Sequence, residues 1–261
     1  MTHFNCDGVR IYYEVHGEGR PLLFINGLAG DTRQWEFMLS HLTSSFQCII
    51  YDMRCAGRSD KPDEEVTVAV YVEEALALLH HLDIKKADIL GFSLGGMIAM
   101  EFAMTHPEVV DNLILLSTMP YFKGPYPIPD TVLKMMNRTD VCPDLLSEVY
   151  ETIFGHDYKG RVSADDFISF RLKDDMPQPA DAYLNQLKSA TKHDMCYRIK
   201  DGVKSPTIIC AGDDDHLIPP ENAKWLQENI DDAKLFMFEG AGHMLPIEVP
   251  EKIARMIQEN I

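Results

Sequence analysis

The stretch Gly91-Phe92-Ser93-Leu94-Gly95 decides how this chain can fold. An apolar run at 87–90 precedes it and predicts a buried strand, and residues 96–104 follow it with the composition of a helix. A serine between a strand and a helix must lie on a tight turn, where a side chain at either flanking glycine would collide with a neighbouring element. This is the context of a nucleophile elbow, which lifts the hydroxyl of Ser93 clear of the sheet at the positive end of a helix.

Two further motifs lie downstream in the order that a serine–acid–histidine triad of this kind requires. A buried-strand run at 207–212 ends at three consecutive aspartates, and a second run at 233–239 ends at Gly240-Ala241-Gly242-His243. A serine hydroxyl needs a base to become a nucleophile, an imidazole can take and return that proton, and a carboxylate fixes the imidazole tautomer. We therefore predict that Ser93 and His243 are catalytic, with an aspartate between them in the chain.

Together these motifs resemble the α/β-hydrolase fold, and most of all the small bacterial hydrolases that include the 3-oxoadipate enol-lactonases. The resemblance covers nearly the whole chain. It implies an α/β protein with a doubly wound, mostly parallel sheet of about eight strands and an inserted helical cap. The family pattern Gly-x-x-Asp-x-x-x-Pro matches residues 212–219 and assigns the catalytic acid to Asp215. The loop that follows the strand at 22–26 implies an oxyanion hole formed by the backbone N–H groups of Leu28 and Leu94.

Two positions depart from the family pattern. Asn26 stands where the family usually has histidine, and we interpret it as a residue that organises the loop, with contact to the substrate as the alternative. Cys55 replaces a glycine in the pattern Asp-x-Arg-Gly-x-Gly-x-Ser, which residues 52–59 otherwise match. A packing role is the first interpretation of Cys55, and a reactive thiol is the alternative. Backbone donors do not depend on side-chain identity, so neither departure removes the predicted site.

The other aspartates after the strand at 207–212 need an interpretation of their own. Asp213 and Asp214 are of a type that stabilises turns by local hydrogen bonds to the backbone. The alternative is a metal site that they form with His216, but the sequence has no ligand spacing such as H-E-x-x-H. We predict that the protein uses no metal and no organic cofactor.

Composition limits the class of protein. A chain of 261 residues with 46% hydrophobic content can bury one substantial core. A net charge of −17 argues against partners that are nucleic acids or anionic membranes. The N-terminus lacks the pattern of a signal peptide, no apolar run is long enough to span a membrane, and the six cysteines form no C-x-x-C pair. We expect a cytoplasmic protein, monomer or homodimer, that acts on a small molecule.

Strands and helices alternate along most of the chain. Residues 9–15 alternate as an edge strand, and residues 66–82 have the pattern of a long amphipathic helix. The alternation stops between about 119 and 204, where prolines are followed by segments with helical spacing. The predicted organisation is therefore a core of residues 1–118 and 205–261, with a helical cap of residues 119–204 inserted into it.

The cap should roof Ser93 and shape the substrate pocket. A lactone substrate with free carboxylates would need a basic cap residue in that pocket, although surface ion pairs are the simpler interpretation of each candidate. Those candidates are Arg138, Arg161, Arg171 and Lys192. The tentative pocket residues are Asn26, Gly27, Met119, Met136 and Phe154.

The predicted reaction is hydrolysis of a small carboxylic ester or lactone. Ser93 attacks the carbonyl carbon, His243 transfers the proton, Asp215 orients His243, and Leu28 and Leu94 hold the oxyanion. A carbon–carbon bond hydrolase acting on ring-cleavage products and a cofactor-free perhydrolase share this triad and stay open as alternatives. So does a non-catalytic protein of the same fold that binds a ligand.

Overall fold

A central sheet of eight strands forms the frame of the protein in the computed structural model, which describes residues 2–159 and 161–261. The strands are β1 (Thr2–Cys6), β2 (Val9–His16), β3 (Arg20–Ile25), β4 (Phe46–Tyr51), β5 (Ala87–Phe92), β6 (Val110–Leu116), β7 (Thr207–Gly212) and β8 (Lys234–Phe238). Their order across the sheet is β1-β2-β4-β3-β5-β6-β7-β8. Neighbouring strands are parallel except at the β1–β2 and β2–β4 pairs, so the predicted mostly parallel sheet of about eight strands is confirmed.

Helices cover both faces of this sheet. Six of them connect or follow core strands: α1 (Glu36–Leu42), α2 (Val68–His81), α3 (Leu94–Thr105), α9 (Glu221–Asn229), α10 (Leu245–Glu248) and α11 (Pro250–Asn260). Successive residues of β5 pack into different cores, with Ile89 on the side of α2 and α3 and Leu90 on the side of α1 and α11. Because both faces of β5 are buried, its sequence does not alternate between apolar and polar residues, and its one charged residue, Asp88, forms an ion pair with Arg20.

The described residues of the segment between β6 and β7 form helices and loops without a strand. The helices are α4 (Asp130–Met136), α5 (Pro143–Ile153), α6 (Ala164–Leu172), α7 (Ala180–Lys192) and α8 (Ile199–Gly202). The segment begins where the strand–helix alternation of the sequence stops. Among the helices of the described residues, none is long and apolar enough to cross a membrane.

The prediction that residues 9–15 form an edge strand is wrong. β2 lies inside the sheet, between β1 and β4, and β1 forms the edge. The cause is a two-residue hairpin at Asp7 and Gly8, which both have positive φ angles, 51° and 89°. Aspartate followed by glycine is a strong hairpin signal, because both residues accept left-handed backbone. That turn adds one more strand before β2.

The strand order determines where a site can form. β3 has β4 on one side and β5 on the other, so the chain winds in opposite directions from this point. In open parallel sheets, the loops at the carboxyl ends of strands separate at such a reversal and leave a crevice. The loop after β3 and the elbow after β5 therefore meet at the carboxyl edge of the sheet.

An ion pair ties α3 to the inserted segment. Glu101 of α3 is almost fully buried and accepts hydrogen bonds from the guanidinium of Arg198 at 2.6 and 3.1 Å, while His193 Nε2 lies 3.1 Å from the same carboxylate. Burial by itself raises the pKa of Glu101, but His193 and Arg198 outweigh it and lower the pKa to about 2. The carboxylate is therefore ionised over the whole neutral range.

This ion pair predicts a pH-dependent contribution to stability. Because the folded-state pKa of Glu101 lies below its ordinary value of 4.5, the contribution is fully present above pH 4.5 and is lost as the pH falls toward 2. With a discount for the half-exposed Arg198, we expect Glu101→Gln to lower the free energy of unfolding by about 2 kcal/mol at pH 7. Urea denaturation of both proteins between pH 7 and pH 3 measures this. A difference that does not shrink with falling pH would contradict the assignment.

Candidate active site

Ser93 lies on the elbow between β5 and α3 in a strained backbone conformation. Its φ is +55° and its ψ is −118°, in a region that L-residues rarely adopt. Its N–H donates to the carbonyl of Leu116 at 2.9 Å, and Thr118 Oγ1 donates to its carbonyl at 2.7 Å. Both contacts come from the end of β6 and its loop, so the neighbouring strand holds the elbow in this conformation.

The flanking glycines of the elbow have no room for a side chain. A Cβ at position 91 would overlap the carbonyl oxygen of Gly95, and a Cβ at position 95 would overlap the carbonyl oxygen of Ile25 at the end of β3. Both overlaps are with backbone atoms, which cannot move as a flexible side chain can. The sequence requirement for glycine at these positions is therefore steric.

His243 and Asp215 form a buried pair next to the elbow. Nδ1 of His243 lies 2.8 Å from Oδ2 of Asp215, and both side chains are almost inaccessible to solvent. The second oxygen of Asp215 accepts from the N–H groups of Leu217 and Ile218 at 2.9 and 2.8 Å. With Nδ1 occupied by the carboxylate, Nε2 is the nitrogen of His243 that remains for proton transfer.

Phe92, the residue before Ser93, contacts the imidazole of His243 and so places the elbow beside the His243–Asp215 pair. The ring of Phe92 lies 5.0 Å from the imidazole of His243, centre to centre. Among residues 2–159 and 161–261, no hydrogen bond joins Ser93 to His243. In enzymes without substrate this hydrogen bond is often long and forms only when substrate is bound.

The other two aspartates after β7 bind different partners. Oδ1 of Asp213 accepts from the N–H of Gly240 at 2.7 Å. Oδ2 of Asp214 accepts from the N–H of His156 at 2.7 Å, while its Oδ1 lies 3.1 Å from Nε2 of His216. Across the described residues, no group of three or more His, Cys, Asp or Glu side chains could hold a metal ion. The contacts of Asp213 and Asp214 are those of residues that fasten loops.

The loop after β3 contains Asn26, whose side chain organises it, and Leu28, whose N–H group faces no acceptor among the described residues. Asn26 is fully buried; it donates to the carbonyl of Tyr51 at 2.7 Å and accepts from the side chains of Gln34 and Trp35. Two residues further on, the N–H of Leu28 donates to none of the described residues, and the same is true of Leu94. Two free N–H groups near a serine are what an oxyanion hole consists of.

A small cavity of about 20 Å³ opens beside Ser93. Space of this size holds about one or two water molecules, so a bound molecule must be small or must displace some of the side chains that surround the cavity. Apart from Ser93, every residue around it is apolar. Its walls are Leu28, Leu94, Met97, Met119, Phe122, Ile128, Met136, Ala190, Leu217 and Ile218.

The tentative pocket residues fall into two groups. Met119 and Met136 line the cavity, whereas Asn26 and Gly27 are not in its walls. A Cβ at Gly27 would lie 3.0 Å from the ring of Phe92, so this glycine allows the loop to approach the elbow. Phe154 packs with Tyr150 and Phe167 in a separate cluster of the inserted segment and is not in the walls either.

None of the basic candidates lines the cavity. Arg138 pairs with Asp140 and Glu148, and Lys192 pairs with Glu65. The Arg161 guanidinium donates to a backbone carbonyl and stacks over an aromatic ring. No cation is therefore available to a negatively charged acyl group in the cavity as the described residues define it.

Cys55 is fully buried and has a φ of +73°, in the position where the family pattern has glycine. Burial raises the pKa of its thiol to about 11, so the thiol is protonated at neutral pH. A reactive cysteine needs a lowered pKa and solvent access. These facts favour the packing interpretation over the reactive thiol.

Sequence reasoning missed two buried residues that are hydrogen-bonded to loops of the candidate site. Gln186 of α7 is fully buried, and its Oε1 accepts from the N–H of Ala29 at 3.2 Å, next to Leu28. Glu248 of α10 is also buried and accepts from the N–H of Gly242, next to His243. Neither residue lies in a motif. Gln186 is 157 residues from Ala29, and Glu248, although only six residues from Gly242, has the sequence character of a surface helix residue, so no local signal identified either of them.

Comparison with known proteins agrees with this architecture. A sequence model of the α/β hydrolase fold matches residues 20–140. The AB hydrolase superfamily protein YisY of Bacillus subtilis is 29% identical to this chain, over 96% of this chain and 95% of its own length.

Two solved structures are similar over the whole chain. Est816, described as an N-acyl homoserine lactone degrading enzyme, has a TM-score of 0.87 and 22% identity, and the match covers 100% of both chains. The enol-lactonase from Burkholderia xenovorans LB400 has a TM-score of 0.86 and 21% identity, over 99% of this chain and 98% of its own. Likeness at this level of identity shows a shared fold. The eight-stranded sheet, the elbow after β5 and these matches identify the chain as a protein of the α/β-hydrolase fold.

Proposed function

We propose that this protein is a serine hydrolase that cleaves small, uncharged carboxylic esters or lactones through an acyl-enzyme on Ser93. The observation that carries the proposal is one juxtaposition: a strained Ser93 lines the same cavity as Leu28 and Leu94, whose N–H groups are free among the described residues, beside a buried His243–Asp215 pair. Residues 119–204 are proposed to act as the cap over this cavity. Relatives that include a protein named as an esterase/lipase in Haemophilus influenzae agree with this class of reaction.

In the proposed mechanism, Oγ of Ser93 attacks the carbonyl carbon while its proton passes to Nε2 of His243. The carbonyl oxygen becomes an oxyanion that accepts from the N–H groups of Leu28 and Leu94. The tetrahedral intermediate collapses, the bond to the leaving alcohol breaks, and that oxygen takes the proton from His243. Water then repeats the sequence on the acyl-enzyme, and Asp215 stabilises the imidazolium at each step.

The apolar walls narrow the substrate class. Burial of a carboxylate without a partner costs several kcal/mol, whereas an alkyl group gains about 0.8 kcal/mol for each buried CH₂. None of the four basic candidates lines the cavity, and Arg138, Arg161 and Lys192 pair with other groups of the protein. The acyl part of the substrate should therefore carry no charge. In this respect the proposal departs from an enol-lactonase whose substrate has free carboxylates.

This substrate class gives a direct test. We expect p-nitrophenyl hexanoate to be hydrolysed with a kcat/KM at least about 100-fold higher than the p-nitrophenyl half-ester of adipic acid, its negatively charged counterpart. Acetate and butyrate esters should exceed octanoate, since the cavity is small. Release of p-nitrophenol measures all five, with the Ser93→Ala protein as the blank. Equal rates on the hexanoate and adipate esters would contradict an uncharged acyl site.

A further inference from the structure

The inserted segment is joined directly to the loop that carries His243. The carbonyl of Ile153, the last residue of α5, accepts from the N–H groups of His243 at 2.8 Å and of Met244 at 3.1 Å. Two residues further on, Gly155 lies so close to this loop that a Cβ there would overlap the carbonyl of Gly240 and the nitrogen of Gly242. The two backbones are therefore in contact, with no side chain between them.

Glu248 bridges these two backbones. Its side chain is almost completely buried, and Oε2 accepts from the N–H of Gly242 at 2.9 Å and from the N–H of Gly155 at 3.2 Å. Its other carboxylate oxygen is buried without a hydrogen-bond partner among the described residues. Arg161 is close, but its guanidinium donates to the backbone carbonyl of Glu248 and not to the carboxylate.

Such a carboxylate is costly to bury. Burial raises the pKa of Glu248, the N–H groups of Gly242 and Gly155 act against this rise, and the charge of Asp215 adds to it. A buried acid that lacks a cation partner is weak evidence for a stabilising role. What the carboxylate does supply is one acceptor shared by the histidine loop and the inserted segment.

The same segment also fastens the loop of the catalytic acid. The N–H and Nδ1 of His156 both lie within 2.8 Å of Oδ2 of Asp214, the residue before Asp215. Residues 153–156 therefore contact both loops on which the proposed acid and base stand. A displacement of this segment by about 1 Å would reach both residues, and misplacement of that size can lower a rate about 100-fold.

We propose that Glu248 is a positioning residue, which fixes the His243 loop to Gly155 of the cap and so makes the position of His243 depend on the cap. The proposal rests on the proposed function, in which His243 is the base. Glu248 itself touches no substrate. Its effect should appear in the chemical step and not in substrate binding.

The experiment compares Glu248→Ala and Glu248→Gln with Glu101→Gln as the matched control. Glu101 is also a buried carboxylate between the core and the cap, but it contacts neither catalytic loop. On p-nitrophenyl butyrate, we expect Glu248→Ala to lower kcat about 10- to 100-fold with KM nearly unchanged. Glu248→Gln keeps an acceptor oxygen and should restore most of kcat, and Glu101→Gln should lower only the thermal midpoint.

A second readout does not depend on turnover. The proton between His243 and Asp215 gives a low-field signal in the proton NMR spectrum, and we expect Glu248→Ala to shift or broaden it while Glu101→Gln leaves it unchanged. An unchanged signal and unchanged kcat in Glu248→Ala would overturn the proposal, and so would a loss that KM alone accounts for.

If the wild type has no Ser93-dependent turnover, the proposed function fails, while the NMR comparison still tests the positioning role. If Glu248→Ala does not fold, Glu248→Asp replaces it. Its shorter carboxylate cannot reach both N–H groups, and kcat and the low-field signal are expected to change in the same direction. An unchanged Glu248→Asp protein would overturn the proposal.

Discussion

Replacement of Ser93 by alanine is expected to lower the turnover of p-nitrophenyl butyrate by at least about 10⁴-fold. The acyl-enzyme cannot form without Oγ, and the two N–H groups of Leu28 and Leu94 alone retain only a small part of the rate enhancement. Initial rates and covalent labelling by a fluorophosphonate, followed by mass spectrometry, measure the loss. The label should be found on Ser93 in the wild type and should be absent from the variant.

Ser117 provides the matched control for this substitution. It too is a buried serine directly after a strand, with a positive φ of 45°, and its hydroxyl has no hydrogen-bond partner among the described residues. It does not directly precede a helix and is not among the residues that line the cavity, so Ser117→Ala should retain turnover and labelling. Turnover that persists in Ser93→Ala, or is lost in Ser117→Ala alone, would show that the nucleophile has been assigned to the wrong serine.

The second large effect is expected from Gly95→Ala. The added Cβ would overlap the carbonyl oxygen of Ile25 and lie 2.6 Å from that of Asn26, and both are backbone atoms at the end of β3. We expect a loss of about 3 kcal/mol or more in the free energy of unfolding, because strand and helix must separate to admit one methyl group. Any folded fraction should also lose turnover, since the movement displaces the loop that holds Leu28. Urea denaturation monitored by circular dichroism measures the stability.

Gly8→Ala is the control that separates the steric overlap expected in Gly95→Ala from the cost of placing alanine in a left-handed backbone conformation. Gly8 has a φ of +89°, and a methyl group added there would have no atom of another residue within 4 Å, so the alanine costs only the left-handed conformation, about 1–2 kcal/mol. Turnover per folded molecule should be unchanged in this variant. If Gly95→Ala is no more destabilising than Gly8→Ala, β3 and α3 are less tightly packed than these contacts imply.

The parts of this protein that could be predicted are those whose cause is local. The elbow at Ser93 and the strand before it are determined by residues adjacent in sequence, and β5, β7 and β8 were each identified by a short apolar run. The edge strand β1 was missed although its signal is local as well. Asp7 and Gly8 form a hairpin turn, but only a few residues before that turn are available to reveal a strand.

The parts that could not be predicted depend on pairs distant in sequence. Gln186 and Ala29 are 157 residues apart, and Glu248 and Gly155 are 93 residues apart. No periodicity relates the members of such a pair, and a buried glutamine or glutamate in a helix looks like a surface residue until its partners are known. For the same reason the sequence could not distinguish Met136, which lines the cavity, from Phe154, which packs in a separate cluster of the inserted segment.

The contact between residues 153–156 and the loops that carry Asp215 and His243 has a consequence for attempts to exchange the inserted segment between related proteins. The inserted segment supplies five of the eleven residues around the cavity, among them Met119, Phe122 and Met136, so a chimera with a foreign segment should shift its substrate preference toward the donor's. Because Ile153 and Gly155 contact the loop of His243, a junction that replaces them should also misalign this proposed base. A transplant that keeps these residues from the recipient should transfer substrate selectivity without loss of rate. Residues 153–156 therefore limit how far selectivity and rate can change independently in evolution.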